Sequence, residues 1–245
     1  MERDSKRTAG YLYVLAAALL WSLIGPFSKI CMEEGLNPLE VAFWRALFGG
    51  VCFFAQTAVC GGARIPAKHA VFFCLFGVLS ISVFFASLQI SIQLSGAAMA
   101  MVLLYTAPAW VAVFSRILFH ETFSGRKTVA LALALGGTAL VCFSGGSIKA
   151  EPSVFGIVCG LVSGLCYASH FPFYVWWQPR YSTATLYAYM LLGGALALFP
   201  FVEFAPERSW TAWLNLLALG VITNYGAYLA YGRSLRLISQ VKAAI

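Results

Sequence analysis

The chain has 245 residues, of which 61% are apolar and 10% charged, with a mean hydropathy of +0.82. Soluble domains carry about 25% charged residues, so a water-soluble globule is excluded, because so few charges cannot coat its surface, and disorder is excluded because it needs low hydrophobicity and high charge. The net charge of +7 falls in short separate segments with no continuous basic face, which argues against a nucleic-acid partner.

A membrane-spanning helix needs about 20 mostly apolar residues. Stretches free of Asp, Glu, Lys and Arg run over 8–28, 46–63, 70–115, 128–148, 152–179, 181–202 and 209–232. The third is about twice a span and has a polar break at Gln89–Gly96. The fold class expected is therefore all-α and polytopic, with about eight full spans near 10–31, 38–60, 70–90, 96–118, 127–145, 154–177, 182–202 and 210–232. Barrel strands alternate in polarity over about 10 residues, and these runs do not.

Lys and Arg concentrate on one side of this arrangement. Arg3, Lys6 and Arg7 precede the first span; Arg64, Lys68, Arg116, Arg126, Lys127, Arg180, Arg233 and Arg236 fall in alternate loops. The other loops hold Lys149 and Arg208 with Glu33, Glu34, Glu151, Glu203 and Glu207. By the positive-inside rule the N-terminus is expected in the cytoplasm, and the localisation is a multi-pass cell (inner) membrane protein.

The chain also resembles itself. Gly10, Trp21, Pro26 and Phe27 match Gly156, Tyr167, Pro172 and Phe173 at one constant offset of 146. Further on, Gly49-Gly50 meets Gly193-Gly194, Gly77-Val78 meets Gly220-Val221, and Ser91 meets Ser234. A first unit of five spans would make the second enter from the opposite face, and inverted repeats of this kind mark transporters with a midplane site. The expected units are 1–146 and 152–245, the second incomplete: its fourth helix would begin near Ser239, so the sequence reads as truncated.

Particular residues point the same way. Leu20-Trp21-Ser22, Pro26 and Lys29 are followed by Asn37-Pro38 and Trp44-Arg45-Ala46. Leu103-Leu104-Tyr105-Thr106-Ala107-Pro108 leads to Leu118-Phe119-His120-Glu121, and Gly136-Gly137 precedes Leu140-Val141. This order resembles the EamA-type family of the drug/metabolite transporter superfamily. The resemblance implies ten helices in two inverted five-helix repeats, of which this chain would hold eight and the start of a ninth. It also implies a cavity between the repeats, alternating access, and usually outward transport of amino acids, other metabolites or amphipathic drugs. His120 departs from the small residue more usual before the Glu.

Candidate cavity residues are Trp21, Pro26, Arg45, Tyr105, Pro108, Tyr167, His170, Asn224, Tyr225 and Tyr228. A charge at mid-membrane costs at least about 2.5–3.5 kcal/mol, so Arg45 reads either as a snorkelling or packing arginine near one interface or as a substrate or gate contact. His170 reads either as a hydrogen-bonded packing histidine or as a proton relay. Pro26, Pro108 and Pro172 each free a carbonyl, as a simple kink or toward a ligand. Asn224 can glue helices or face a cavity. Trp21, Tyr105, Tyr167, Tyr225, Tyr228 and Tyr231 lie deep, and the last three follow at three-residue spacing, giving a shared helix side suited to amphipathic or cationic ligands. Lys29 reads as an interface residue within reach of Glu33 or Glu40, and Glu121 as an ion-pairing residue beside Arg116 and Arg126.

No paired intramembrane carboxylate or His cluster suggests catalysis, and no cofactor or metal is implied. The expected partners are a small-molecule substrate, the lipid bilayer and, as coupling ion, protons. The function expected is a secondary exporter; the alternative is a non-transporting membrane scaffold or sensor.

Overall fold

The computed structural model describes residues 2–62, 64–120 and 153–234, and the single positions 125, 129, 132, 133, 136, 137, 140 and 237. The described elements are helical: α1 (Glu2–Ser22), α2 (Ile24–Glu33), α3 (Pro38–Val59), α4 (Ala67–Gly77), α5 (Phe84–Leu104), α6 (Ala107–Phe119), α7 (Val154–Ala168), α8 (His170–Trp177), α9 (Thr183–Leu198), α10 (Trp210–Ala218) and α11 (Ala227–Ser234). Two π-helical segments, Val78–Val83 and Leu219–Gly226, join α4 to α5 and α10 to α11.

Large apolar side chains such as Leu15, Leu19, Leu75, Leu196 and Leu214 lie on the outside. An apolar mantle of this extent is tolerated in lipid and not in water. Among the described residues, five helical stretches are long and apolar enough to cross a membrane: Thr8–Glu33, Pro38–Val59, Ala67–Phe119, Val154–Trp177 and Thr183–Phe201. This corrects the expected count of about eight spans and, with it, the expected ten-helix, two-repeat architecture. The spans expected at 70–90 and 96–118 form one 53-residue stretch, which includes the non-helical backbone of Gly96 (φ 81°, ψ 155°) and the turn at Tyr105–Thr106. The run from Trp210 to Ser234 is helical, but Asn215, Thr223, Asn224 and three glycines dilute its apolar character, and it is not among the five. The expected span at 127–145 and the start of a ninth at Ser239 lie outside the described residues, isolated positions excepted.

Local chemistry sets several helix starts. The Asn37 side chain accepts from Glu40 N at 2.8 Å, with Pro38 opening α3, so an orphan amide is satisfied and the missing proline N–H costs nothing. Ser182 and Ser209 cap α9 and α10 in the same way.

Glycines set how closely these helices approach. Gly49 of α3 crosses the π segment at Gly220, and Gly194 of α9 crosses the end of α4 at Gly77: a Cβ at Gly49 would lie 3.3 Å from Gly220 O, and one at Gly194 3.1 Å from Gly77 O. The two crossings use the glycine pairs of the self-match, one residue apart in register, on four different elements.

At one end of the bundle a buried carboxylate ties the segment after α9 to α3. Glu40 is fully buried and pairs with Arg208. It also accepts from Ala205 N at 3.0 Å and from Trp44 Nε1 at 3.3 Å. Arg208 in turn lies over Trp44, Phe204 and Trp213, at 5.4–5.7 Å from their ring centres. Lys29 pairs with Glu33 at 3.5 Å, both exposed.

Two stability predictions follow from these contacts. A Cβ at Gly193 would come 2.5 Å from Cys74 Cα, whereas one at Gly226 would make an ordinary contact at 3.4 Å. Overpacking costs about 1–3 kcal/mol, so Gly193→Ala should lower the thermal midpoint of the detergent-solubilised protein, while Gly226→Ala should leave it unchanged or raise it. Removing one partner of a buried ion pair costs about 3–5 kcal/mol. Glu40→Ala should therefore lower the midpoint clearly, by an amount near the bottom of that range because Arg208 keeps some solvent contact. Glu40→Gln, which can still accept hydrogen bonds, should cost less; equal midpoints for all three proteins would show the pair to be energetically idle.

Candidate functional site

Three helices break three residues or less before a proline. The α1–α2 break lies at Leu23, before Pro26; the α5–α6 break at Tyr105–Thr106, before Pro108; the α7–α8 break at Ser169, before Pro172. Proline has no N–H and its ring clashes with the carbonyl four residues back, so the turn ahead of it opens. The three breaks converge. A cavity of about 220 Å³ is lined by Trp21 and Ile24 at the first, Leu104, Tyr105, Ala107 and Pro108 at the second, and Tyr167, His170 and Phe171 at the third.

Its walls are aromatic. Trp21 meets Tyr167 edge to face with ring centres 6.0 Å apart, and it meets Tyr228 and Tyr231 at 5.4 Å each. Tyr187 stacks on Tyr228 at 4.2 Å and meets Tyr174 at 5.6 Å. The His170 imidazole lies among these rings, 5.7 Å from Tyr167 and 6.2 Å from both Phe84 and Tyr187.

Two polar side chains reach the cavity with atoms left open. Arg45 of α3 is fully buried. Its Nε donates to Asn224 Oδ1 at 3.0 Å, Asn224 Nδ2 donates back to Arg45 O at 2.9 Å, and the guanidinium carbon stands 4.1 Å from the centre of the Phe85 ring. Its Nη1 has no hydrogen-bond partner. His170 Nδ1 lies 3.0 Å from Tyr167 O. A carbonyl can only accept, so Nδ1 carries the proton and Nε2 of the neutral ring is an acceptor; that Nε2 is buried without a partner.

Of the residues singled out from the sequence, Trp21, Arg45, Tyr105, Pro108, Tyr167, His170 and Tyr228 line this cavity, with Tyr105 at its exposed edge. Pro26 is on the exposed side of α2 and acts on the cavity only through the break before it. Asn224 is buried behind Arg45 and orients it. Tyr225 packs on Phe53 at 4.8 Å and does not share the side of Tyr231, because six residues of helix fall about a third of a revolution short of two whole turns and the π segment ending at Gly226 shifts the register further. Arg45 does not snorkel. Phe84, Tyr174 and Tyr187 were missed: Tyr174 sits beside Trp176 and Trp177, and Tyr187 near the start of α9, where aromatics read as an interface belt. Glu121 lies outside the described residues.

A second hollow, of about 440 Å³ and near Glu203, lies beside Asn37, Gln93 and Phe155. A third, of about 470 Å³, opens between α3, α9 and α11; Arg64, Arg180 and Arg233 line it together with Thr57, Thr183 and Thr185.

Comparison with known proteins agrees with this architecture. The chain matches the EamA-like transporter family over residues 8–143 and again over 154–245. It is 29% identical over 225 residues to an uncharacterized transporter of Archaeoglobus fulgidus, covering 91% of this chain and 77% of that protein. The uncharacterized inner membrane transporter YicL of Salmonella typhimurium is 27% identical over 254 residues, covering 96% and 81%. The uncharacterized transporter YdfC of Bacillus subtilis is 26% identical over 216 residues, covering 86% and 69%. A solved crystal structure superimposes with a TM-score of 0.75 at 17% identity, covering 97% of this chain and 82% of that one, which is a likeness of fold. With the family matched over most of its length, the chain belongs to the EamA-like transporters of the drug/metabolite superfamily and is a multi-pass, membrane-embedded secondary transporter, not an enzyme.

Proposed function

We propose that the protein exports a small amphipathic metabolite by alternating access around the aromatic cavity, with the two units 1–146 and 152–245 moving against each other. The observation that carries this reading is the convergence of three proline-broken helices on one aromatic-walled space. Broken backbone at membrane depth is tolerated only where it is buried or lines a cavity, and a pocket of apolar walls with few fixed polar groups is the usual form of a small-molecule site. Protons are the coupling ion in this reading, taken up at the open Nε2 of His170. The N-terminus is cytoplasmic, as the distribution of Lys and Arg favours.

Sidedness is tested by single-cysteine labelling in a cysteine-free background. Residue 65 should react only from the cytoplasm and residue 206 only from outside. Labelling of both from the same side would refute the assigned orientation.

The cavity itself is tested by truncating its walls. Trp21→Ala and Tyr167→Ala should each weaken substrate binding about tenfold or more, as expected for aromatic anchors in a desolvated site. Trp210→Ala, at an 83% exposed position, should change it little. Equal small losses for all three in folded protein would reduce the deep rings to packing.

A further inference from the structure

Among the described residues Arg45 has no counterion. Buried arginines are ordinarily paired with carboxylates, because the desolvation of an unpaired guanidinium costs several kcal/mol. Among the described residues the partners of Arg45 are an amide and a ring face, its Nη1 is buried without a hydrogen-bond partner, and the side chain lines the cavity. None of the described residues lining that cavity is Asp or Glu. The amide pins the arginine from behind, so its open edge is fixed in place. A guanidinium held this way is a preorganised receptor for a carboxylate, and the aromatic walls fit an apolar ring or chain attached to it.

A second feature, independent of the first, favours the same charge. The hollow between α3, α9 and α11 carries Arg64, Arg180 and Arg233 and, among its described lining residues, no carboxylate. At the opposite end the buried Glu40 pairs with Arg208, and Glu34 accepts from the neighbouring Ser209 hydroxyl. A concave surface of one sign concentrates ligands of the other sign. An anion is thus favoured at the Arg-lined end and a cation is not.

We infer that the transported molecule is a small monoanion, an aromatic or apolar carboxylic acid whose carboxylate docks on Arg45. This rests on the proposed cavity and names the ligand class it takes. The lack of a carboxylate in the lining separates this class from cationic drugs and from zwitterionic amino acids, which would need a partner for the ammonium group.

The test is a charge series on one ring system, with binding to the purified full chain read as the ligand-induced rise in thermal midpoint. The probes are indole-3-acetate, its neutral amide indole-3-acetamide, the cation tryptamine, and tryptophan as the zwitterion. The acid is expected to bind at least tenfold more tightly than each of the others. Arg45→Met, which replaces a buried charge by an apolar chain and is often tolerated, should erase that preference while the amide still binds, and Arg45→Lys should keep part of it. If Arg45→Met fails to fold, the ranking on the wild-type chain still decides. Tryptamine, tryptophan or the amide binding as well as the acid overturns the monoanion assignment and leaves the cavity reading intact. If none of the four probes binds, both fail.

Discussion

Everything in this molecule depends on the absence of water from the hydrocarbon core of a bilayer. An unsatisfied backbone group there costs several kcal/mol, so a helix can be interrupted only where the interruption faces protein or an internal space. Three prolines interrupt three helices, and the three openings turn toward one another instead of toward lipid. The cavity follows from that constraint as much as from its own lining. The same logic accounts for the glycine crossings: helices that carry breaks need close backbone contact elsewhere, and Gly49 against Gly220 and Gly194 against Gly77 supply it.

Among the described residues the bundle buries two charges, Glu40 and Arg45, and treats them in opposite ways. Glu40 is closed, with Arg208, the Ala205 amide and the Trp44 indole all donating to it. Its energy is spent on holding the segment after α9 against α3. Arg45 is only half satisfied, with its Nε and its own carbonyl engaged by Asn224 and an edge left free. A lysine could not take this role: it lacks the planar fork that lets one side of the head be pinned while the other is presented.

The sequence made the membrane class and the deep aromatic pair readable, for different reasons. Composition alone reports the solvent. Trp21 and Tyr167 were readable because the same offset that aligns them aligns the prolines five residues later, and they do meet. The number of spans was not readable from charge gaps, because a gap measures only the lack of charge: the run from Trp210 to Ser234 is charge-free up to Gly232 yet diluted by Asn215, Thr223, Asn224 and glycines, and it is not among the five apolar stretches. The partner of Arg45 was not readable either, since Asn224 is 179 residues away and no pattern links an arginine to an amide at that distance. Aromatic wall residues near helix ends were hidden among interface aromatics, which share their composition but not their direction.

The two ends of the bundle also differ in how firmly they are held. Edge-to-face aromatic pairs contribute about 0.5–1.5 kcal/mol each beyond their burial, and they tolerate sliding, because ring geometry is broad. Trp21 makes three aromatic contacts, edge to face with Tyr167 of α7 and Tyr228 of α11 and tilted with Tyr231 of α11. Breaking all three costs on the order of 3 kcal/mol, and the rings can repack on a ligand that enters between them. The Glu40 pair offers no such exchange: separating it leaves a buried carboxylate with only the Ala205 amide and the Trp44 indole as donors and no counterion. Of the two closures, the aromatic one is the cheaper to open and the one a bound ring can replace contact for contact. Trp21 and the exposed edge of Tyr105 thus border the more loosely held side of the cavity, while the other end is held by the buried Glu40 pair.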